Sequence, residues 1–358
     1  MRQYLTVLNP FYTVAVQARI YLYHIGLLKR VQSSLPCICI GNLTVGGTGK
    51  TPMVDYVVKL VDAMGYKAGI VSRGYKRSGS ANDCLLVSKG DGQPPVSVKL
   101  AGDEPSVLAM RNPHTAIAVC ARREEAIELL KDEGLANVII MDDGFQHIGL
   151  ERDGDVVLVD ATRPLAAQKM LPAGDLREPF SGLKRATLII HTKVDSPGQK
   201  NYADDNYEFV ASVTPFIPQF KARYQVIDGY DGNGVYVTLS SLATKRVLAL
   251  SGIAHPETFC SLIETVAGTT NAVMWPDHVE VGRDKVDAVL ACCKRDKVDV
   301  VTTTEKDWVK IRPLLTKEER GMFCILTQTI ELDRESEFIE DLEKIIIRAI
   351  EGRKIRKP

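Results

Sequence analysis

Residues 37–51 read Cys37-Ile-Cys-Ile-Gly-Asn-Leu-Thr-Val-Gly-Gly-Thr-Gly-Lys-Thr51, and they decide the fold class. Cys37–Ile40 is a short apolar run, and Pro52–Met64 carries a helical pattern. Between them lies a glycine-rich turn, so the order is strand, loop, helix, the context that a phosphate-binding loop requires. Gly46, Gly47 and Gly49 let backbone N–H groups turn inward around phosphate oxygens, and the helix N-terminus adds the positive end of its dipole. Thr44, Val45 and Thr48 complete the cradle. Lys50 suits the β- and γ-phosphates, and the Thr51 hydroxyl suits Mg²⁺. Thr44 stands where the general GxxxxGK[ST] pattern opens with glycine.

Working outward, further apolar runs at Ala68–Ser72, Ala116–Cys120, Val138–Met141, Val156–Val159 and Leu188–His191 alternate with helical stretches such as Arg123–Glu133. That alternation predicts a parallel sheet covered on both faces. Lys221–Ile227 and Val235–Leu239 flank a turn rich in Asp and Gly and read as a β-hairpin. Val247–Leu250, Ala272–Trp275, Val298–Thr302 and Phe323–Leu326 then resume the alternation. The expected architecture is an α/β/α P-loop sandwich over 33–218, a hairpin linker over 219–240 and a smaller α/β domain over 241–358, preceded by an amphipathic helix within 1–32.

Val138-Ile-Ile-Met-Asp142-Asp143 is an apolar strand ending in two carboxylates. In P-loop proteins such an Asp supports the Mg²⁺ held by the loop's hydroxyl, and two adjacent Asp at a buried strand end repel each other without a cation. Ser72-Arg73-Gly74-Tyr75, Gly102-Asp103-Glu104-Pro105, Leu171–Pro179 (with Arg177 and Glu178) and Trp275-Pro-Asp277-His278 form other polar clusters. Most of them follow strands, at the carboxyl edge where α/β sheets place their sites. Thr192-Lys-Val-Asp195 keeps a rival open, because Thr-Lys-x-Asp after a strand resembles the guanine-reading motif of P-loop GTPases. A non-catalytic, nucleotide-dependent membrane module is a second rival, although the paired Asp, Gly-Asp-Glu-Pro and Asp-His clusters argue against it.

The chain has 358 residues with 45 Lys+Arg and 45 Asp+Glu, so no global charge draws it to nucleic acid. Its eight cysteines form no CxxC pair, which fits buried, reduced thiols. Phe11–Leu28 approaches the length of a membrane span, but Arg19 sits in its middle and Lys29-Arg30 close it. A helix lying in the headgroup layer suits that pattern better than a span.

Together, Gly41–Pro52, Ser72–Tyr75, Gly102–Pro105, Asp142-Asp-Gly-Phe-Gln-His147, Leu171–Pro179, Ala249–Ala254, Pro276–His278 and Thr303–Asp307 resemble the tetraacyldisaccharide 4′-kinase family, in family order. The family often lacks the glycine that Thr44 replaces. The resemblance implies transfer of the ATP γ-phosphoryl to the 4′-hydroxyl of a lipid A disaccharide 1-phosphate, with Mg²⁺. It implies a peripheral enzyme at the cytoplasmic face of a Gram-negative inner membrane. Lys50 and Thr51 then correspond to phosphate and metal contacts, Asp142 and Asp143 to the acidic pair, and Asp103 to the base. His278 corresponds to the base's second-domain partner, with domain closure completing the site. Arg73, Tyr75, Arg177 and Glu178 correspond to site or substrate contacts. Oligomeric state stays open, with a monomer favoured.

Overall fold

A computed structural model describes residues 9–355 except 76, 94, 195, 197, 198, 254 and 255. In chain order the first elements are α1 (Asn9–His24), β1 (Val31–Gln32), β2 (Cys37–Asn42), α2 (Lys50–Ala63), β3 (Ala68–Ser72), β4 (Leu85–Lys89), α3 (Val98–Ala101), α4 (Asp103–Arg111), β5 (Ala116–Val119), α5 (Arg123–Asp132), β6 (Val138–Asp142), β7 (Leu150–Glu151), β8 (Gly154–Asp160), β9 (Leu188–Thr192) and α6 (Ala203–Val213). Then follow β10 (Gln219–Asp231), β11 (Tyr236–Thr238), β12 (Arg246–Ser251), α7 (Pro256–Val266), β13 (Thr269–Met274), α8 (Arg283–Asp296), β14 (Val300–Thr304), α9 (Glu305–Ile311), α10 (Lys317–Arg320), β15 (Phe323–Leu332) and α11 (Glu335–Ile355).

The chain forms two compact units, residues 1–224 with 330–358 and residues 225–329. In the first, the strand order runs β10-β9-β8-β2-β6-β3-β5-β4, with β4 antiparallel to β5 and the other pairs parallel. Successive residues of β2 and β6 enter opposite cores. Ile38, Ile40, Val138 and Ile140 pack with Val54, Val57 and Val61 of α2, whereas Cys37, Cys39, Ile139 and Met141 pack with Ala126, Ile127 and Leu130 of α5. A strand buried on both faces reads as a continuous apolar run, so these segments stand out in the sequence. β2 lies between β8 and β6, and the chain leaves β2 through α2 to reach β3, one strand beyond β6. This reversal opens a crevice at the carboxyl end of β2.

In the second unit β13, β12, β14 and β15 are parallel, and Phe259, Cys260 and Ile263 of α7 pack against Val247, Ala249 and Val300. β10 and β11 form the expected antiparallel hairpin, through Asp228–Thr238, Gly229–Val237 and Tyr230–Tyr236.

The expected C-terminal domain over 241–358 differs from this division. Phe338, Leu342, Ile345 and Ile346 of α11 lie in the same core as Ile38 and Val57, so burial of that apolar stripe returns the chain end to the first unit. The hairpin is likewise no separate linker over 219–240, because the boundary falls inside β10, after Tyr224.

Candidate active site

Asn42 ends β2 and is fully buried. Its amide donates to the Thr44 carbonyl at 2.6 Å, and its Oδ1 accepts from Lys50 Nζ at 3.3 Å. Three further contacts clamp the loop from outside. The Val45 N–H donates to the Asp175 carbonyl, the Thr192 hydroxyl donates to the Thr48 carbonyl at 2.9 Å, and the Tyr224 hydroxyl donates to the Gly49 carbonyl at 3.0 Å. Gly49 caps α2 in the left-handed region (φ 83°), and a Cβ there would meet the Tyr224 ring at 2.7 Å. Gly46 also has positive φ (111°), while Gly46 and Gly47 are exposed. The loop is thus held at its back and open at its front.

β6 delivers the two carboxylates into unlike settings. Asp142 is 1% exposed; Ser72 Oγ donates to its Oδ2 at 3.1 Å, and its Oδ1 has no hydrogen-bond partner among the described residues. Burial, followed by the charges of Glu104 and Asp143, pushes its pKa up to about 7. Asp143 turns left-handed (φ 48°) and takes Arg177 Nη1 at 2.7 Å and Lys50 Nζ at 3.7 Å. Burial would raise its carboxyl, but Lys50 and Arg177 outweigh it and hold the group below its ordinary value.

A partly buried chain of hydrogen bonds fixes Arg177. Its guanidinium also donates to Gln146 Oε1, and the Gln146 amide donates to the Asn42 carbonyl and to Glu178 Oε1 at 2.8 Å. Arg185 donates to Glu178 Oε2 at 2.6 Å and covers the Phe145 ring at 4.5 Å. Both Glu178 oxygens are therefore engaged, at 1% exposure.

α4 opens at Asp103, and the charge of Glu104 beside it is felt at Asp142. Gly102 has φ 94° and a Cβ there would lie 3.1 Å from the Tyr75 carbonyl, which sets the Ser72–Tyr75 turn against the start of α4. The Arg73 and Tyr75 side chains are exposed.

Sequence reasoning missed Arg123. It is 4% exposed at the first position of α5, its Nε has no hydrogen-bond partner among the described residues, and burial followed by Arg73 lowers its pKa. Asp143 and Asp142 lie near enough to oppose that shift. A cation opening a helix runs against the macrodipole, and that anomaly is the signal that could have found it.

In the second unit His278 has φ 59° and a side chain 23% exposed. Lys306 reaches Asp277 at 2.8 Å and His278 Nε2 at 3.4 Å. Asp307, fully buried, accepts from the Gly252 N–H and the Thr304 hydroxyl. The Thr-Glu-Lys-Asp segment therefore braces the Asp277–His278 turn. In the first unit, Lys193 pairs with Asp160 at 2.7 Å, Thr192 serves the phosphate loop, and Asp195 lies outside the described residues.

The family described as tetraacyldisaccharide-1-P 4′-kinase matches residues 1–347. The chain belongs to that family. A tetraacyldisaccharide 4′-kinase of Chlorobaculum parvum is 35% identical over 97% of this chain and 94% of its own length. One from Geobacter metallireducens is 36% identical over 87% of this chain and 89% of its own. The crystal structure of LpxK from Aquifex aeolicus in complex with ATP aligns over 96% of this chain and 99% of its own, at 27% identity and a TM-score of 0.76. The match covers both units, so the family's P-loop kinase fold is the fold of this chain.

Proposed function

We propose that this protein transfers the γ-phosphoryl group of ATP to the 4′-hydroxyl of tetraacyldisaccharide 1-phosphate. The observation that carries the reading is the meeting of the Gly46–Thr51 loop with the Asp142-Asp143 strand end in a family member. Phosphoryl transfer has a loose, charge-spread transition state, so catalysis rests on positioning and electrostatics. Lys50, held by Asn42 and Asp143, neutralises the β/γ oxygens. The N–H groups of Gly46 and Gly47, both exposed residues, cradle them. Arg123 and Arg73, on the same edge, suit anionic oxygens of the substrates.

The unpaired Asp142 Oδ1 beside Asp143 fits a divalent cation. Thr51, Asp142 and Asp143 would hold Mg²⁺, which when bound supplies positive charge at the phosphates. Asp103 accepts the proton of the attacking hydroxyl. Arg177 orients Asp143, and Glu178, with both oxygens occupied, positions Arg177 through Gln146.

For the lipid substrate we assign α1 a place in the membrane surface. Asn9 and Tyr12 hydrogen-bond to the Met170 and Arg177 carbonyls, and Tyr12 and Val16 pack on the core. Phe11, Val14, Tyr21, Ile25 and Leu27 are left at least half exposed, beside Arg19, Lys29 and Arg30. No helix among the described residues is long and apolar enough to cross a membrane. An apolar face with a basic rim suits binding in the headgroup layer, at the cytoplasmic face of the inner membrane where ATP is available.

The test is a transfer assay with γ-labelled ATP, Mg²⁺, detergent and the disaccharide 1-phosphate. Label moves to the lipid with the native chain and not with Lys50→Ala. Label released only as free phosphate would overturn the assignment in favour of an NTPase switch.

A further inference from the structure

Cys84, Cys120 and Glu125 converge, and their ligand atoms lie within 4.8 Å of one another. The sheet register brings them together. Leu85 of β4 pairs with Val119 of β5, so Cys84, just before β4, stands opposite Cys120, just after β5. Glu125 reaches in from the first turn of α5. Its Oε2 is 3.7 Å from each sulfur, and the Asn82 carbonyl oxygen is 3.4 Å from Cys120 Sγ. The sulfurs are 2.6 Å apart and unbonded.

We infer that Cys84, Cys120, Glu125 and the Asn82 carbonyl form a site for a thiophilic divalent cation of the Zn²⁺ type. Metal–sulfur bonds of about 2.3 Å and metal–oxygen bonds of about 2.0–2.2 Å put tetrahedral neighbours about 3.5 Å apart for S···O and about 3.8 Å for S···S. The two Glu125–sulfur distances and the Asn82–Cys120 distance already match such edges, whereas the sulfurs must separate. Two thiols and a carboxylate are also the soft, anionic donor set that selects such ions over Mg²⁺. Sequence spacing hides the site, because its cysteines are 36 positions apart and meet only through antiparallel pairing.

The site would tie down the segment that begins with Arg73 and Tyr75. The Cys120 N–H donates to the Ser72 carbonyl, the Ala121 N–H donates to the Ala81 carbonyl, and Arg77 donates to the Ser80 and Asp83 carbonyls. A cation on Cys84 would therefore anchor the far end of a loop whose near end faces the proposed substrate site. The inference does not depend on the phosphoryl acceptor.

The test uses reduced, tag-free, full-length protein. Zn²⁺ is titrated against a chromophoric chelator, and Co²⁺ is added separately while thiolate-to-metal absorption is followed. The native chain takes up one Zn²⁺ and shows the cobalt–thiolate band. Cys84→Ser loses the band and weakens Zn²⁺ binding by more than roughly 100-fold, whereas Glu125→Gln keeps the band and weakens binding roughly 10-fold. Cys292→Ser changes neither. As a measurement free of folding effects, Zn²⁺ slows alkylation of Cys84 in the native chain, mapped by mass spectrometry. Absence of the band in the reduced native chain, a band that survives Cys84→Ser, or alkylation of Cys84 indifferent to Zn²⁺ would each overturn the site, whether or not the two cysteines close to a disulfide in air.

Discussion

At the scale of single residues, the neighbouring carboxylates of β6 differ because their surroundings differ. Asp143 is matched by Lys50 and Arg177, while Asp142 has one serine hydroxyl and an empty oxygen. The folded pKa of Asp142 is raised from 3.8 to about 7. Its ionisation therefore costs stability, a cost absent below the unfolded pKa and complete above the folded one. Asp142→Asn removes that cost. Without Mg²⁺ or nucleotide, the variant melts higher than the native chain at pH 8, and the gap closes by pH 4. Thermal melts at both pH values check this, and a gap independent of pH would refute it. Asp103→Ala makes a separate claim. Loss of a general base lowers kcat by roughly 10²–10⁴ with little change in ATP affinity, and an unchanged kcat would remove Asp103 from that role. The loop and the acidic pair were legible in the sequence because each is one contiguous segment with its own chemistry. Gln146 as the link from Arg177 to Glu178 and the Cys84–Cys120 pair were not, since each is defined by partners distant in sequence, whereas Arg123 carried only the weak local signal of a cation at a helix start.

At the scale of elements, the phosphate loop is held by strands it does not follow in sequence. Gly49 adopts a left-handed conformation against the Tyr224 ring of β10. In Gly49→Ala the Cβ meets both obstacles, an unfavourable φ worth about 1–2 kcal/mol and a steric clash. The variant should melt lower and bind ATP more weakly, as read by calorimetry and by nucleotide titration. Tyr224→Phe relieves no clash and loses one hydrogen bond, worth about 1 kcal/mol, so its loss should be the smaller. The buried parallel strands were legible because both faces are apolar. The antiparallel edge strand β4 was not, since its pattern is half exposed. For α1, composition indicated a surface helix, and the structure shows which residues anchor it and which are left outside. Phe11→Asp with Val14→Asp alters only the outside set. Sedimentation with anionic vesicles should fall several-fold while the melting temperature holds, and unchanged sedimentation would argue against a membrane role for α1.

At the scale of the whole molecule, the second unit is an insertion in the first. The chain leaves the first unit after Tyr224 and returns at Ile330. Within the first unit the two ends are neighbours, because the Lys221 N–H donates to Asp333 Oδ1 at 2.6 Å and the Asp333 N–H donates to the Lys221 carbonyl at 2.9 Å. Sequence alternation could not reveal this, since β15 and α11 look like one more strand–helix repeat of the second unit. The stripe of Phe338, Leu342 and Ile346 decides their place by packing with Ile38 and Val57. An Asn-Gly turn joining Tyr224 to Ile330 should then close a hairpin and leave every core contact of the first unit in place. The shortened chain should melt cooperatively and bind ATP with near-native affinity. It should transfer no label to the lipid, which tests the expected role of His278, a residue this shortened chain lacks. By contrast, a chain ending at Asp333 removes α11 from the core and should not fold, given that truncating one large buried side chain already costs about 2–5 kcal/mol. Calorimetry and nucleotide titration on the two chains distinguish an inserted unit from a tandem one, since a tandem arrangement would make the second chain the more stable of the pair.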